Sequence, residues 1–151
     1  MGVDAIVVLP GEPDTIVPAV EAANAADIPV VTIDQAPSGG EITAYVASDN
    51  LAGGRLAGEY LVDVMGGSGE VIELLGGDGS AAMDRAEGFG LAIDEAPGIT
   101  LVGKEDGFGA KHLGRLLAEE LLAASPEATG LFAIKDPLGL GAIEAFEAMG
   151  L

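Results

Sequence analysis

The 151-residue chain contains no cysteine, no tryptophan and a single histidine. Without cysteine there is no disulfide framework, no thiolate nucleophile and no cysteine-based metal site. The one histidine, His112, lies between Lys111 and Leu113 on a segment of helical periodicity. It has no second histidine or clustered carboxylates at metal-ligand spacing, and no Ser-His-Asp set can be assembled around Ser80 with it. No catalytic residue, metal or cofactor is therefore expected. Aromatics make up only 4% of the chain while hydrophobic residues make up 49%. The core must therefore be built from Leu, Ile, Val and Ala. Basic residues are equally scarce, 6 against 25 acidic ones, for a net charge of −19. That balance argues against nucleic acid, whose binding is dominated by Lys and Arg on phosphates, and against anionic membrane surfaces. No apolar run is long enough to span a bilayer. The chain leads from Met1 straight into a strand-like run, so no signal peptide is expected.

What is present is a regular alternation. Val3 to Leu9 is a continuous apolar run ended by Pro10-Gly11, and it reads as a strand buried on both faces. Asp14 is expected to cap a helix running through Ala26. Ile28 to Ile33 is the second strand, and it ends in Asp34-Gln35 beside a Pro-Ser-Gly-Gly loop. Thr43 to Ala47 is a short extended segment. Asn50 opens a helix closed by Gly66-Gly67. Val71 to Leu75 is a strand that breaks into Gly76-Gly77-Asp78-Gly79, and Ser80 opens the next helix. Ile99 to Val102, an Asp106–Gly109 turn, a strongly amphipathic helix from Ala110 to Ala124, a strand from Gly130 to Ile134 and a helix from Pro137 to Met149 complete the chain. Strands alternating with helices are the mark of an α/β doubly wound, mostly parallel sheet with helices on both faces, as in flavodoxin-like folds.

In open parallel sheets, ligands bind beyond the carboxyl ends of the strands. That rule selects Asp34, Gln35, Asp78, Asp106, Phe108, Lys135 and Asp136. Arg85, on the second turn of the helix after the glycine loop, stands out for a different reason. Arg55 has Glu59 and Arg115 has Glu119 at helical spacing, whereas positions 81, 82, 88 and 89 around Arg85 are Ala, Ala, Gly and Phe. Arg85 must find its partner elsewhere in the fold or on a ligand, and a guanidinium fork suits hydroxyls and carboxylates. Asp34, ending a buried strand with no helix directly after it, suits ligand hydroxyls. Phe108 in its glycine turn either covers a ligand ring or anchors the loop. Lys135 ends a buried strand and faces either a cleft or solvent. Tyr45 and Tyr60 read as packing residues. The glycine loop itself is neither a Walker loop nor GxGxxG nor GxSxG.

The succession GVDAIVVLPGEPDTIVPAVEAANAADIPVVTID, YVASDNLAGGRLAGEYL, VIELLGGDGSAAMDRAEGFGLAI and LFAIKDPLGLGAIEAFEAMG resembles, in order, the ribose-type periplasmic sugar-binding proteins of ABC importers. The resemblance covers essentially the whole chain. It implies two α/β lobes joined by a hinge that close on a sugar. Residues 1–49 would be part of the first lobe plus the hinge crossover, and residues 50–151 part of the second, unless the two pack as one α/β domain. It implies an extracytoplasmic or periplasmic location and an ABC importer permease as partner. It also implies roles for five residues. Asp34 accepts sugar hydroxyls, Arg85 of the R-x-x-G-F motif donates to the sugar, Phe108 packs on the ring, and Gln35 and Lys135 occupy further contact positions. The ribose pattern has arginine where Gln35 stands and asparagine where Lys135 stands. These departures leave open another sugar, a polyol or a partly anionic ligand. The family's preceding and following regions are not in this sequence, so the chain reads as a fragment or as one compact domain joining half of each lobe. A fragment would leave sheet edges uncovered and prone to self-association. Alternatives are the sugar-sensing domain of a LacI-type repressor, which would need a basic helix-turn-helix, and a truncated or engineered flavodoxin-like domain without ligand activity.

The acidic composition, with Arg as rare as Lys, fits a surface adapted to high salt, where dense carboxylates are screened and stay solvated. The chain is expected to unfold in dilute buffer and refold in molar KCl, followed by far-UV circular dichroism. A fold indifferent to salt overturns that reading.

Overall fold

The computed structural model describes residues 2–151. Along them run β1 (Ile6–Val8), α1 (Val17–Ala25), β2 (Val30–Ile33), β3 (Ala44–Val46), α2 (Asn50–Val64), β4 (Gly69–Leu75), α3 (Ser80–Asp94), β5 (Ile99–Asp106), α4 (Lys111–Ala124), β6 (Ala128–Ala133) and α5 (Asp136–Met149). Every strand pairing is parallel, as the α/β alternation requires. The strands form two sheets of three, in the orders β1-β2-β3 and β5-β4-β6. The chain divides into two compact units, Met1–Asp49 with Gly79–Ala81, and Asn50–Asp78 with Ala82–Leu151.

The first unit has a small core. Val20 and Ala23 of α1 pack on Val30, with Ile6, Val8, Ile16, Ile28 and Ile42 around them. Its first strand is shorter than the apolar run predicts and is not buried on both faces: Val7 is 64% exposed and Leu9 61%. The run reflects β propensity, while only alternate side chains reach α1. Asp14 is not the cap of α1. A helix begun there would require the N–H of residue 18 to bond the Asp14 carbonyl, and Pro18 has no proton to give. The helix starts at Val17, with proline in its first turn where the missing donor costs nothing. Asp14 instead accepts a hydrogen bond from the Ser38 hydroxyl. At its other end, α1 closes in a Schellman arrangement. Ile28 N–H bonds Ala23 O (2.9 Å), Asp27 N–H bonds Asn24 O (3.0 Å), and Asp27 takes the left-handed φ of +55° that the motif requires.

The second unit is built on β4, the central strand of its sheet. Alternation along β4 sends Leu74 to one face and Val71 to the other. Leu74 packs with Ala118 of α4 and Leu138, Ala142 and Ala145 of α5. Val71 packs with Phe89 and Ile93 of α3 and Ile99, with Leu61 and Val62 of α2 and Met65 just past its end beside them. Phe89 stacks on Phe132, ring centroids 4.2 Å apart. Helices thus cover both faces of this sheet. On the second face α2 and α3 meet backbone to backbone. A Cβ on Gly54 would lie 2.1 Å from the Arg85 carbonyl oxygen, and one on Gly88 would lie 2.0 Å from that of Leu51.

Glu73 interrupts the apolar pattern of β4 and is fully buried, in register between Lys104 and Phe132. Lys104 Nζ lies 2.8 Å from Oε2, while Oε1 has no donor among the described residues. Burial pushes the Glu73 carboxyl above the ordinary carboxylate range, with the Lys104 ammonium pulling the other way. The folded state therefore holds this proton more tightly than the unfolded chain. The resulting contribution to stability is present below the ordinary pKa and is lost as pH rises through the folded value. Glu73→Gln is expected to raise the melting temperature at neutral pH and to change little in acid, measured by thermal denaturation across pH. A variant less stable than the parent at neutral pH would show that the ion pair outweighs the buried charge.

Candidate functional site

The sequence-selected residues fall at the carboxyl ends of strands in both units. In the first, Asp34 follows β2 with a left-handed φ of +65°. The N–H of Gln35 donates across it to the Ile33 carbonyl (2.7 Å), which makes a three-residue turn of a rare, strained kind. Asp34 N–H donates to Val46 O (2.9 Å), and the Tyr45 hydroxyl donates to the Asp34 carbonyl (2.9 Å). The backbone is thus fixed from both sides while the carboxylate makes no hydrogen bond among the described residues. Gln35 is half-buried, and its Oε1 has no partner among the described residues. Tyr45 supports Asp34 rather than a core, and Tyr60, expected to pack, is 70% exposed.

In the second unit, Arg85 is half-buried on α3. Its Nε donates to Asn50 Oδ1 at 2.8 Å and its Nη1 to the Ile134 carbonyl at 3.1 Å. The missing helical partner therefore lies in the fold, at the first turn of α2 and just past the end of β6. Both acceptors are neutral. They orient the guanidinium without neutralising it, and Nη2 has no partner among the described residues.

Phe108 is 71% exposed and has a φ of +51°. For a bulky residue such a backbone costs on the order of 1–3 kcal/mol and persists only where neighbours enforce it. Asp106, the last residue of β5, supplies the restraint. Its Oδ1 accepts the N–H of Phe108 (2.7 Å) and that of Gly77 (3.0 Å). One carboxylate oxygen thereby joins the loop after β5 to the glycine loop after β4. The glycines after Leu75 serve that tight passage. The strand itself runs to Asp106, four residues beyond the predicted end at Val102. Lys135, half-buried at the end of β6, lays its side chain across the same loops. A Cβ on Gly76 would come within 2.9 Å of its Cδ, and one on Gly109 within 3.0 Å.

Arg85, Lys135, Phe108 and their supports Asn50 and Asp106 thus gather at one end of the second unit's sheet. Asp34 and Gln35 hold the corresponding end in the first. His112 is exposed on α4. An apolar cavity of about 340 Å³ bounded by Leu122, Leu131 and Phe146 lies at the start of β6, the opposite end of that strand from Lys135. Among the described residues no group of three His, Asp or Glu is placed to hold a metal. Sequence reasoning missed the supporting roles of Asn50, Asp106 and Tyr45, which depend on contacts remote in sequence. It also missed Glu73, although an acid within VIELL was a readable signal.

A sequence model of the periplasmic binding protein domain matches residues 1–151. The ribose import binding protein of Bacillus subtilis is 37% identical over 150 residues, covering 99% of this chain and 48% of its own length. The chain spans about half the length of the curated relatives it matches. Among solved structures, the fructose-binding periplasmic domain of a hybrid two-component system superposes with a TM-score of 0.92 at 31% identity, over 99% of this chain and 50% of that one. The periplasmic binding protein of an arabinose ABC transporter from Shewanella sp. ANA-3, bound to L-arabinofuranose, gives 0.90 at 31% identity, over 99% and 52%. With its parallel α/β units and this match along the whole sequence, the chain belongs to the periplasmic binding protein domain family.

Proposed function

We propose that the chain is a solute-binding module for a small sugar or polyol and forms part of the binding component of an ABC importer. The observation that carries this reading is the family match along all 151 residues, accompanied by relatives named for ribose and arabinose. Its role is binding rather than catalysis. Asp34 acts as an acceptor for ligand hydroxyls, and Arg85 as a donor. Phe108 offers an aromatic face to the apolar side of a sugar ring, and Gln35 and Lys135 supply further polar contacts. The restrained backbones of Asp34 and Phe108 support these roles, because strained residues concentrate where a ligand is held. The partner would be the importer's permease, and the location extracytoplasmic. No helix among the described residues is long and apolar enough to cross a membrane.

A hydrogen bond to a charged group contributes roughly 1.5–3 kcal/mol, so losing Arg85 should weaken binding by about ten- to a hundredfold. A thermal-shift screen over pentoses, hexoses and polyols is expected to find a sugar that raises the melting temperature. Arg85→Ala is expected to abolish that rise while circular dichroism shows the fold retained. An undiminished rise in the variant overturns the role given to Arg85.

A further inference from the structure

The six basic residues of this chain divide sharply. Arg55 pairs with Glu59 and Glu95, Lys104 with Glu73, Lys111 with Glu144, and Arg115 with Glu119. Arg85 and Lys135 make no ion pair among the described residues. With 25 carboxylates for 6 cations, an unpaired base is the exception here, and the two exceptions are neighbours. Arg85 Nη1 is bonded to the carbonyl of Ile134, the residue that immediately precedes Lys135. Nor is Lys135 a loose surface side chain. Its aliphatic stem lies between Gly76 and Gly109, where a Cβ would come within 2.9 Å and 3.0 Å of its Cδ. Laying the stem on the surface while presenting the ammonium is how a lysine delivers charge to a chosen point.

Two half-buried cations at the end of β6 have no carboxylate partner among the described residues, and neutral acceptors do not supply a counter-ion. An anionic group on the ligand does. We propose that the ligand taken by the second unit is a small polyhydroxylated molecule carrying one anionic group, a carboxylate or a phosphate, with Lys135 as its counter-ion and Arg85 as its oriented donor. This rests on the solute-binding reading above and narrows its ligand class. The acidic surface elsewhere disfavours free anions, so selectivity for one must come from this local pair.

The test uses the isotope-labelled chain, titrated near neutral pH with two matched pairs of probes: D-glucuronate against D-glucose, and D-ribose 5-phosphate against D-ribose. Amide shifts give the affinities. The acidic member of one pair is expected to bind about tenfold tighter than its neutral partner, the order set by one charge-assisted hydrogen bond. Which pair shows the preference distinguishes a carboxylate ligand from a phosphate. Lys135→Gln is expected to bring the ratio to about one. Lys135→Arg should keep the preference, and Arg115→Gln, which makes the same change in net charge at an exposed ion pair, should leave it untouched. Neutral sugars binding as tightly as their acids, or a preference that survives Lys135→Gln, overturns the inference and leaves the sugar-binding reading standing. Binding by none of the four probes overturns both.

Discussion

The second unit depends on a contact in which two helices have no side chain between them. Gly54 of α2 and Gly88 of α3 let the helices approach until a single Cβ would strike the opposing carbonyl at about 2 Å. This approach brings Asn50, at the start of α2, to the guanidinium of Arg85 on α3. It also seats Phe89 of α3 over Val71 of β4 and against the Phe132 ring. The arginine, the aromatic stack and the end of β6 are thus held by one helix crossing. A methyl group at either glycine would push all three apart, because close-packed interiors do not absorb such volume without moving backbone. The α4–α5 pair repeats the device on the other face. There a Cβ on Gly114 would meet the Leu138 carbonyl and one on Gly141 that of Lys111.

Around this frame, the residues proposed to face a ligand are held by their backbones more than by their side chains. The three non-glycine residues with positive φ among those described are Asp27, Asp34 and Phe108. Asp27 is accounted for by the end of α1. The other two stand just past β2 and β5, at the strand ends where α/β sheets bind ligands. Asp34 is pinned through Val46 and Tyr45, Phe108 through Asp106. In each case the restraining bond is made to the main chain, which leaves the Asp34 carboxylate and the exposed Phe108 ring available. Preorganisation of this kind lowers the ordering cost of binding. Arg85 follows the same logic with its side chain: two neutral acceptors set its plane and leave its charge unspent.

Much of this was legible in the chain. Apolar runs alternating with helical periods gave the parallel α/β architecture, and the glycines after β4 and the starts of α2 and α3 at Asn50 and Ser80 fell where the pattern put them. The strand-end rule selected Asp34, Phe108 and Lys135, which stand just past β2, β5 and β6. The absence of a helical carboxylate singled out Arg85. What misled were local features that another local feature vetoed. Asp14 looked like a cap until Pro18 withheld its proton, and Val3 to Leu9 looked buried throughout although only alternate side chains face α1.

The sequence by itself determined composition, charge, element order and family, because periodicity and motif succession are properties of neighbours along the chain. Only the tertiary structure decided who holds whom. Arg85 and Asn50 are 35 residues apart, Arg85 and Ile134 are 49, and Asp106 and Gly77 are 29. It also decided that the strands would close into two sheets of three, and that a carboxylate within VIELL would be buried beside Lys104. Such pairings are set by packing between elements, where a fraction of an ångström at a glycine decides which side chains meet. Spacing along a single chain carries no record of that distance.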